Sequence, residues 1–231
     1  MKTIGLIGGM SWESTIPYYC QINEIIKQRL GGLHSAKIIL YSVDFHEIEQ
    51  LQRTDEWDTA GKLLAASACS LEHAGADFLV LCTNTMHKVA PAIEAAVTIP
   101  LLHIVDTTVN AIKQAGYSKV GLIGTRFTME QPFYRERLAQ QHGLETCTPD
   151  AQDRDIIQRI IFEELCLGIL RPESRLAYRH IMEKLVARGA QAIILGCMEI
   201  SLQVDQTDSI VALLDTTTLH AQAAAMEALS C

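Results

Sequence analysis

The sequence predicts an α/β protein built from two similar halves, each an open sheet of mainly parallel strands flanked by helices. Three observations carry that prediction. Short, continuous apolar runs alternate with amphipathic helical stretches from one end to the other. Segments of the first half recur, in the same order, in the second. The composition also supports a substantial core: 231 residues, 48% hydrophobic and 20% charged, exclude global disorder. They allow one large domain or two of roughly 100–130 residues.

Nineteen basic residues stand against 27 acidic ones, a net charge of −8. No basic block balances that charge, so a nucleic-acid partner is not expected. The opening MKTIGLIGGMSWEST holds too short an apolar run for a secretion signal or a membrane span. A cytoplasmic protein with no membrane partner is the expectation. The seven cysteines (Cys20, Cys69, Cys82, Cys147, Cys166, Cys197 and Cys231) are odd in number and scattered. They show neither C-x-x-C nor zinc spacing, so no disulfide framework and no metal site are expected. Most should be small buried hydrophobes.

Strands are expected over residues 3–7, 37–43, 77–82, 101–105, 119–123, 192–195 and 211–214. Each is short and nearly all apolar, as parallel strands covered on both faces are. After the first, the turn Gly5-x-x-Gly8-Gly9-Met10 leads into a helix starting near Ser14, with Pro17 in its first turn. Tyr19, Ile22, Ile26 and Leu30 make one stripe of that helix, which ends at Gly31-Gly32. Further helices are expected over 156–167 and 174–188.

The repetition rests on three matches. Ile4-Gly-Leu-Ile-Gly-Gly9 resembles Val120-Gly-Leu-Ile-Gly-Thr125 (4 to 120, an offset of 116). Phe78-Leu-Val-Leu-Cys-Thr83 resembles Ala192-Ile-Ile-Leu-Gly-Cys197 (78 to 192, an offset of 114). Ile104-Val-Asp-Thr107 resembles Leu213-Leu-Asp-Thr216 (104 to 213, an offset of 109). That order predicts a first domain of residues 1–100 plus 211–231 and a second of 101–210. Ligands of open α/β sheets bind beyond the carboxyl ends of the strands. Thr83 and Cys197 each follow a strand end, so they are expected on opposite walls of a cleft.

Each motif has a plain alternative. The glycine turn is not G-x-G-x-x-G and lacks an acidic partner for a ribose, so it reads as a holder of a small carboxylate or as a tight turn alone. In Leu81-Cys-Thr-Asn-Thr-Met-His87, Thr83, Asn84 and Thr85 offer donors to a carboxylate, or Asn84 or Thr85 caps the next helix. His87 reads as a satisfied histidine and Cys82 as the last core residue of its strand. In Gly196-Cys-Met-Glu-Ile200, a strand-end thiol followed by N–H groups suits a lowered pKa and base chemistry; a buried hydrophobe is the alternative. Glu199 caps a helix, orders a loop or meets a substrate ammonium group. Asp106 and Asp215 read as helix caps.

Five blocks now belong together. Gly-Gly-Met-Ser-Trp-Glu-Ser-Thr at 8–15, Cys-Thr-Asn-Thr-Met-His at 82–87, Leu-Ile-Gly-Thr at 122–125, Phe-Glu-Glu-Leu at 162–165 and Gly-Cys-Met-Glu-Ile at 196–200 resemble the aspartate/glutamate racemase family along the whole chain. The resemblance implies two pseudo-symmetric α/β domains, an inter-domain active site and commonly a homodimer. It implies an isomerase that inverts acidic amino acids without pyridoxal phosphate or another cofactor, using two cysteines on opposite faces of the α-carbon. Carried over by position, the second cysteine is Cys197, and the place of the first is held by Thr83. Met198 stands where the family usually has threonine. Asn84, Thr85 and Thr125, with Met10 and Gln52, match positions used around the substrate. The C-terminal cysteine generally faces the α-proton of the L-enantiomer, so L-aspartate and L-glutamate are the expected substrates. A related racemase or decarboxylase with another substrate, and a non-catalytic binder of small carboxylates, remain as alternatives.

Overall fold

The computed structural model describes residues 1–230 and divides into two compact units. The first comprises Met1–Ile104 together with the chain from His220 onward; the second is Val105–Leu219. Cys231 lies outside the described residues.

In the first unit the chain runs β1 (Ile4–Gly8), α1 (Trp12–Leu30), β2 (Ile38–Ser42), α2 (Phe45–Arg53), α3 (Trp57–His73), β3 (Phe78–Leu81), α4 (Ala90–Glu94) and β4 (Leu101–Leu102). Its four strands are parallel, in the order β2-β1-β3-β4. The two inner strands are buried throughout, which is why they read as unbroken apolar runs. Ile7, Ile48, Leu64, Leu71, Leu79, Leu81 and Met86 pack together on one side of this sheet.

Helix α1 differs from expectation in two ways. Its buried stripe is Tyr18, Ile22 and Ile26, whereas Tyr19 and Leu30 are exposed. The stripe begins one residue earlier because i, i+4, i+8 follows the helical period there. The helix also starts at Trp12, so Pro17 sits past the first turn and leaves the Glu13 carbonyl without its usual i+4 donor. It stops where Gly31 takes φ 74° and donates its N–H to the Lys27 carbonyl.

The chain then continues with α5 (Ile104–Gln114), β5 (Lys119–Gly124), α6 (Arg126–Glu130), α7 (Pro132–Glu136), β6 (Glu145–Cys147), α8 (Ala151–Glu163), α9 (Pro172–Ala187), β7 (Ala192–Gly196), α10 (Ile200–Gln203), β8 (Ala212–Asp215) and α11 (Thr216–Leu229). The second sheet is also parallel, ordered β6-β5-β7-β8. Edge strand β6 was not foreseen; at three residues, only one of them buried, it carries no periodic signal. Helix α8 starts ahead of the expected residue 156 because the Asp150 side chain accepts the Asp153 N–H as a cap.

The two sheets repeat one another strand for strand. Ile4 pairs with Phe78 in the first and Val120 with Ala192 in the second, as the first two sequence matches require. The third match is out of register. Ile104 to Thr107 lie in α5, while β4 pairs Leu101 with Leu79 and β8 pairs Leu213 with Ile193. The equivalent residues are therefore 101 and 213, an offset of 112, which also aligns the helix starts at Ile104 and Thr216.

The expected boundaries at 100/101 and 210/211 shift accordingly. β4 is bonded to β3 and β8 to β7, so the breaks fall after Ile104 and after Leu219. The chain rejoins the first unit within α11: the Lys2 N–H donates to Ala228 O at 2.8 Å and His220 Nε2 donates to Leu102 O at 2.8 Å. Among the described residues, no helix is long and apolar enough to cross a membrane. No group of His, Cys, Asp or Glu among them is arranged to hold a metal ion.

Candidate active site

In the second unit, strands β5 and β7 are paired to their last residues, Gly124 opposite Gly196. A Cβ on Gly124 would lie 2.8 Å from the Gly196 carbonyl oxygen, so only glycine permits this approach. Thr125 and Cys197 are the next residues of their strands. Thr125 caps α6, its hydroxyl accepting the Thr128 N–H at 3.4 Å. The Cys197 residue is 7% exposed, and its thiol donates to Glu199 Oε2 at 3.0 Å.

This bond corrects the expected activation of the thiol. Burial pushes Cys197 well above the usual thiol pKa, and the nearby Glu199 carboxylate and Cys166 push in the same direction. The resting group is the thiol. Glu199 makes no capping bond to α10; its carboxylate is turned to the sulfur instead. Met198 is buried beside it.

In the first unit, β1 pairs Ile7 with Leu81, as β5 pairs Ile123 with Leu195. Cys82 therefore corresponds to Gly196 and Thr83 to Cys197. Cys82 is fully buried, its N–H donates to Ile7 O, and burial drives its thiol pKa far upward. It behaves as a core residue. Thr83 is 7% exposed, and Asn84 and Thr85 are buried next to it. Asn84 precedes the short 3₁₀ turn Thr85–Val89 but makes no side-chain cap, so the capping alternative fails for it.

His87 bonds backbone at both ring nitrogens. Nδ1 donates to the Thr83 carbonyl at 2.7 Å, and Nε2 accepts the Ile104 N–H at 3.2 Å. Those partners assign one neutral tautomer. His87 thus holds the main chain of Thr83, as a satisfied histidine does. The bond goes to the carbonyl, not to the Thr83 hydroxyl.

Met10 and Gln52 meet around Met86, which follows Thr85: Met10 packs in the same cluster, and Gln52 Nε2 donates to Met86 Sδ at 3.0 Å. The glycine turn does not present a free N–H at Gly9. That group donates to Thr15 Oγ1 at 2.9 Å, and Gly9, at φ 92°, is fixed against Val43. The tight-turn reading holds there. Asp215 caps α11, accepting from the Thr217 N–H and the Thr218 hydroxyl. Asp106 lies in the first turn of α5, and Arg137 holds its carboxylate through Nε at 2.8 Å and Nη2 at 2.6 Å.

Three polar residues, His103, His220 and Glu164, have contacts that the sequence did not reveal. Behind Thr83, His103 lies 4.4 Å from His87 between ring centroids, and His220 lies 6.0 Å from it. His220 accepts the Tyr18 hydroxyl at 2.9 Å, and burial pushes its pKa down to about 4. Its only signal was one histidine in an apolar helix. In the second unit, Glu164 of the 162–165 block is buried and accepts the Ser174 hydroxyl at 2.5 Å and Arg159 Nη1 at 3.3 Å.

Comparison with known proteins finds relatives along the whole chain. A model of the family described as Asp/Glu/Hydantoin racemase matches residues 7–224. The crystal structure of a candidate Asp/Glu racemase from Yersinia pestis is 62% identical, with a TM-score of 0.94 and 100% of both chains covered. That of an aspartate racemase homologue from Pyrococcus horikoshii OT3 is 33% identical, with a TM-score of 0.86 and 100% of both chains covered. The broad specificity amino-acid racemase RacX of Bacillus subtilis (strain 168) is 24% identical over 222 residues, 93% of this chain and 92% of RacX.

Proposed function

The chain belongs to the Asp/Glu/hydantoin racemase family and is an amino-acid isomerase, and from that premise we propose that it inverts L-aspartate and L-glutamate with Cys197 as its one thiol base. The Cys197–Glu199 hydrogen bond carries this reading. The thiol proton passes to Glu199, the sulfur takes the α-proton of the L-enantiomer, and a proton returns to the opposite face near Thr83. The α-carbanion is the costly species, and donors to the substrate carboxylate stabilise it. Asn84, Thr85 and Thr125 are the residues proposed for that task, with Met10 and Gln52 bounding the substrate.

Thr83 is a plausible donor and a poor base, because its hydroxyl gives up a proton only by leaving an alkoxide. With Glu199 holding the thiol proton, Cys197 removes and returns the proton of the L-substrate without help from Thr83. In D₂O, L-aspartate or L-glutamate should therefore gain deuterium at the α-carbon faster than it inverts. The D-enantiomer should exchange barely faster than it inverts. Folded Cys197→Ala protein should do neither. Exchange that is equally fast from both enantiomers, or that survives in Cys197→Ala, would overturn the assignment.

A further inference from the structure

The repetition of the two units isolates one buried group that no step above uses. The match extends from strand to preceding helix without a gap. Gly75 and Gly189 end α3 and α9 at φ 95° and 93°. Asp77 accepts the Thr3 N–H, and at the matching place Gln191 accepts the Lys119 N–H. At the same offset, Leu64 of α3 corresponds to Tyr178 of α9. Both are fully buried, and each packs in the cluster behind its own strand-end residue. The unit that carries threonine at the strand end has leucine there; the unit that carries the thiol has a phenol.

That phenol has an unpaid requirement. The Tyr178 hydroxyl is buried and has no hydrogen-bond partner, an arrangement that costs stability. Leucine or phenylalanine would fill the same space without that cost. Tyr178 belongs to the same packed cluster as Cys197, Ile200 and Leu165. Burial pushes the Tyr178 pKa upward, and Cys197 and Glu199 beyond β7, with Glu164 and Cys166 beyond α8, push it the same way. Glu164 is itself held by Ser174, one helical turn before Tyr178 on the same face of α9, by Arg159, and by Arg171 at 3.9 Å. The Phe-Glu-Glu-Leu block thereby fixes the helix that carries the phenol.

We propose that Tyr178 is a positioning residue for Cys197: its hydroxyl supplies the hydrogen-bond donor that holds the sulfur once the thiol proton has moved to Glu199. In that step the Sγ–H bond breaks, the Oε2–H bond forms on Glu199, and the electron pair stays on sulfur. The unpartnered donor of the resting state becomes a partnered one in the state that accepts the α-proton. The proposal rests on the reading of Cys197 as the base, but its test does not require racemase activity.

The test is Tyr178→Phe, read by iodoacetamide alkylation of Cys197 across pH and quantified on the Cys197 peptide by mass spectrometry. Removing the donor should raise the midpoint of the pH–rate curve by about one unit and slow alkylation about tenfold at pH 8. The melting temperature should stay level or rise, since an unsatisfied hydroxyl is lost, and α-deuterium wash-in should fall alongside alkylation. A shifted midpoint in a protein that inverts no amino acid supports the role of Tyr178 and defeats the racemase reading alone. Equal midpoints in the two proteins, or a Cys197 that reacts in neither up to pH 10, would overturn the proposal.

Discussion

Replacing Glu199 by glutamine separates two opposite things that the carboxylate does to the Cys197 thiol. Two full negative charges at their 3.0 Å separation would repel by roughly 5.5 kcal/mol at an effective dielectric of about 20. A thiolate and a carboxylate therefore do not coexist there; the pair keeps one proton between them. On the proposed mechanism, that proton moves to Glu199 in wild type while sulfur takes the substrate's. Glutamine cannot receive it, and loss of a positioned acid–base group typically costs about 10²–10⁴ in rate. Yet glutamine also removes a negative charge that now pushes the thiol pKa upward. Glu199→Gln should thus slow α-proton exchange about a hundredfold or more while making Cys197 alkylate faster near neutral pH. NMR wash-in from D₂O reads the first and peptide mass spectrometry the second. Undiminished exchange would refute Glu199 as proton acceptor. Exchange and alkylation falling together would mean that the carboxylate only holds the loop.

The register of the first strand-end motif gives a second test. Cys82→Ala should cost about 1 kcal/mol in urea unfolding and retain turnover, whereas Thr83→Ala should lose inversion and Thr83→Cys should keep or raise it. The reverse pattern would place the chemistry on Cys82. A third test concerns His220, which is buried neutral with its pKa pushed down from 6.5 to about 4. Between those values the unfolded chain binds a proton that the folded chain refuses, so stability is present above pH 6.5 and lost as pH falls toward 4. The contribution is about 3 kcal/mol. Urea unfolding at pH 7 and pH 4.5 should show a smaller acid loss in His220→Gln than in wild type; an equal loss would assign it to other groups.

What could be seen in the sequence followed from burial. The inner strands are covered on both faces, so their apolar runs located them, and two runs repeated at offsets of 116 and 114 placed Thr83 and Cys197 at equivalent strand ends. The third match failed because Ile104-Val-Asp-Thr and Leu213-Leu-Asp-Thr share a pattern that suits a helix start as well as a strand. Only the ladder bonds of β4 and β8 distinguish the two, and they moved the domain boundary. The pairing of Cys197 with Glu199 was equally hidden. A thiol two residues before a carboxylate at a strand end is compatible with a cap, a loop anchor or a ligand contact; the short turn into α10 is what brings oxygen to sulfur. Tyr178 gave no signal at all, since a tyrosine on the apolar face of a helix reads as core.

The proposed pairing of a strong base, Cys197, with a weak one, Thr83, does not make a one-way enzyme. Free enantiomers in achiral water have equal energies, so the ratio of kcat/KM in the two directions must be one. The weakness of Thr83 can alter only how the carbanion partitions. On the proposed assignment, a carbanion formed from the L-substrate by Cys197 recaptures a proton from sulfur more often than from the threonine side, and inversion should lag exchange. Formed from the D-substrate, it has already passed the slower barrier, and the thiol completes the inversion almost every time. Thr83→Cys should bring inversion and wash-in closer together for the L-substrate and leave the equilibrium where it was. A Thr83→Cys protein that still exchanges L-substrate far ahead of inversion would show that the slow step does not belong to residue 83.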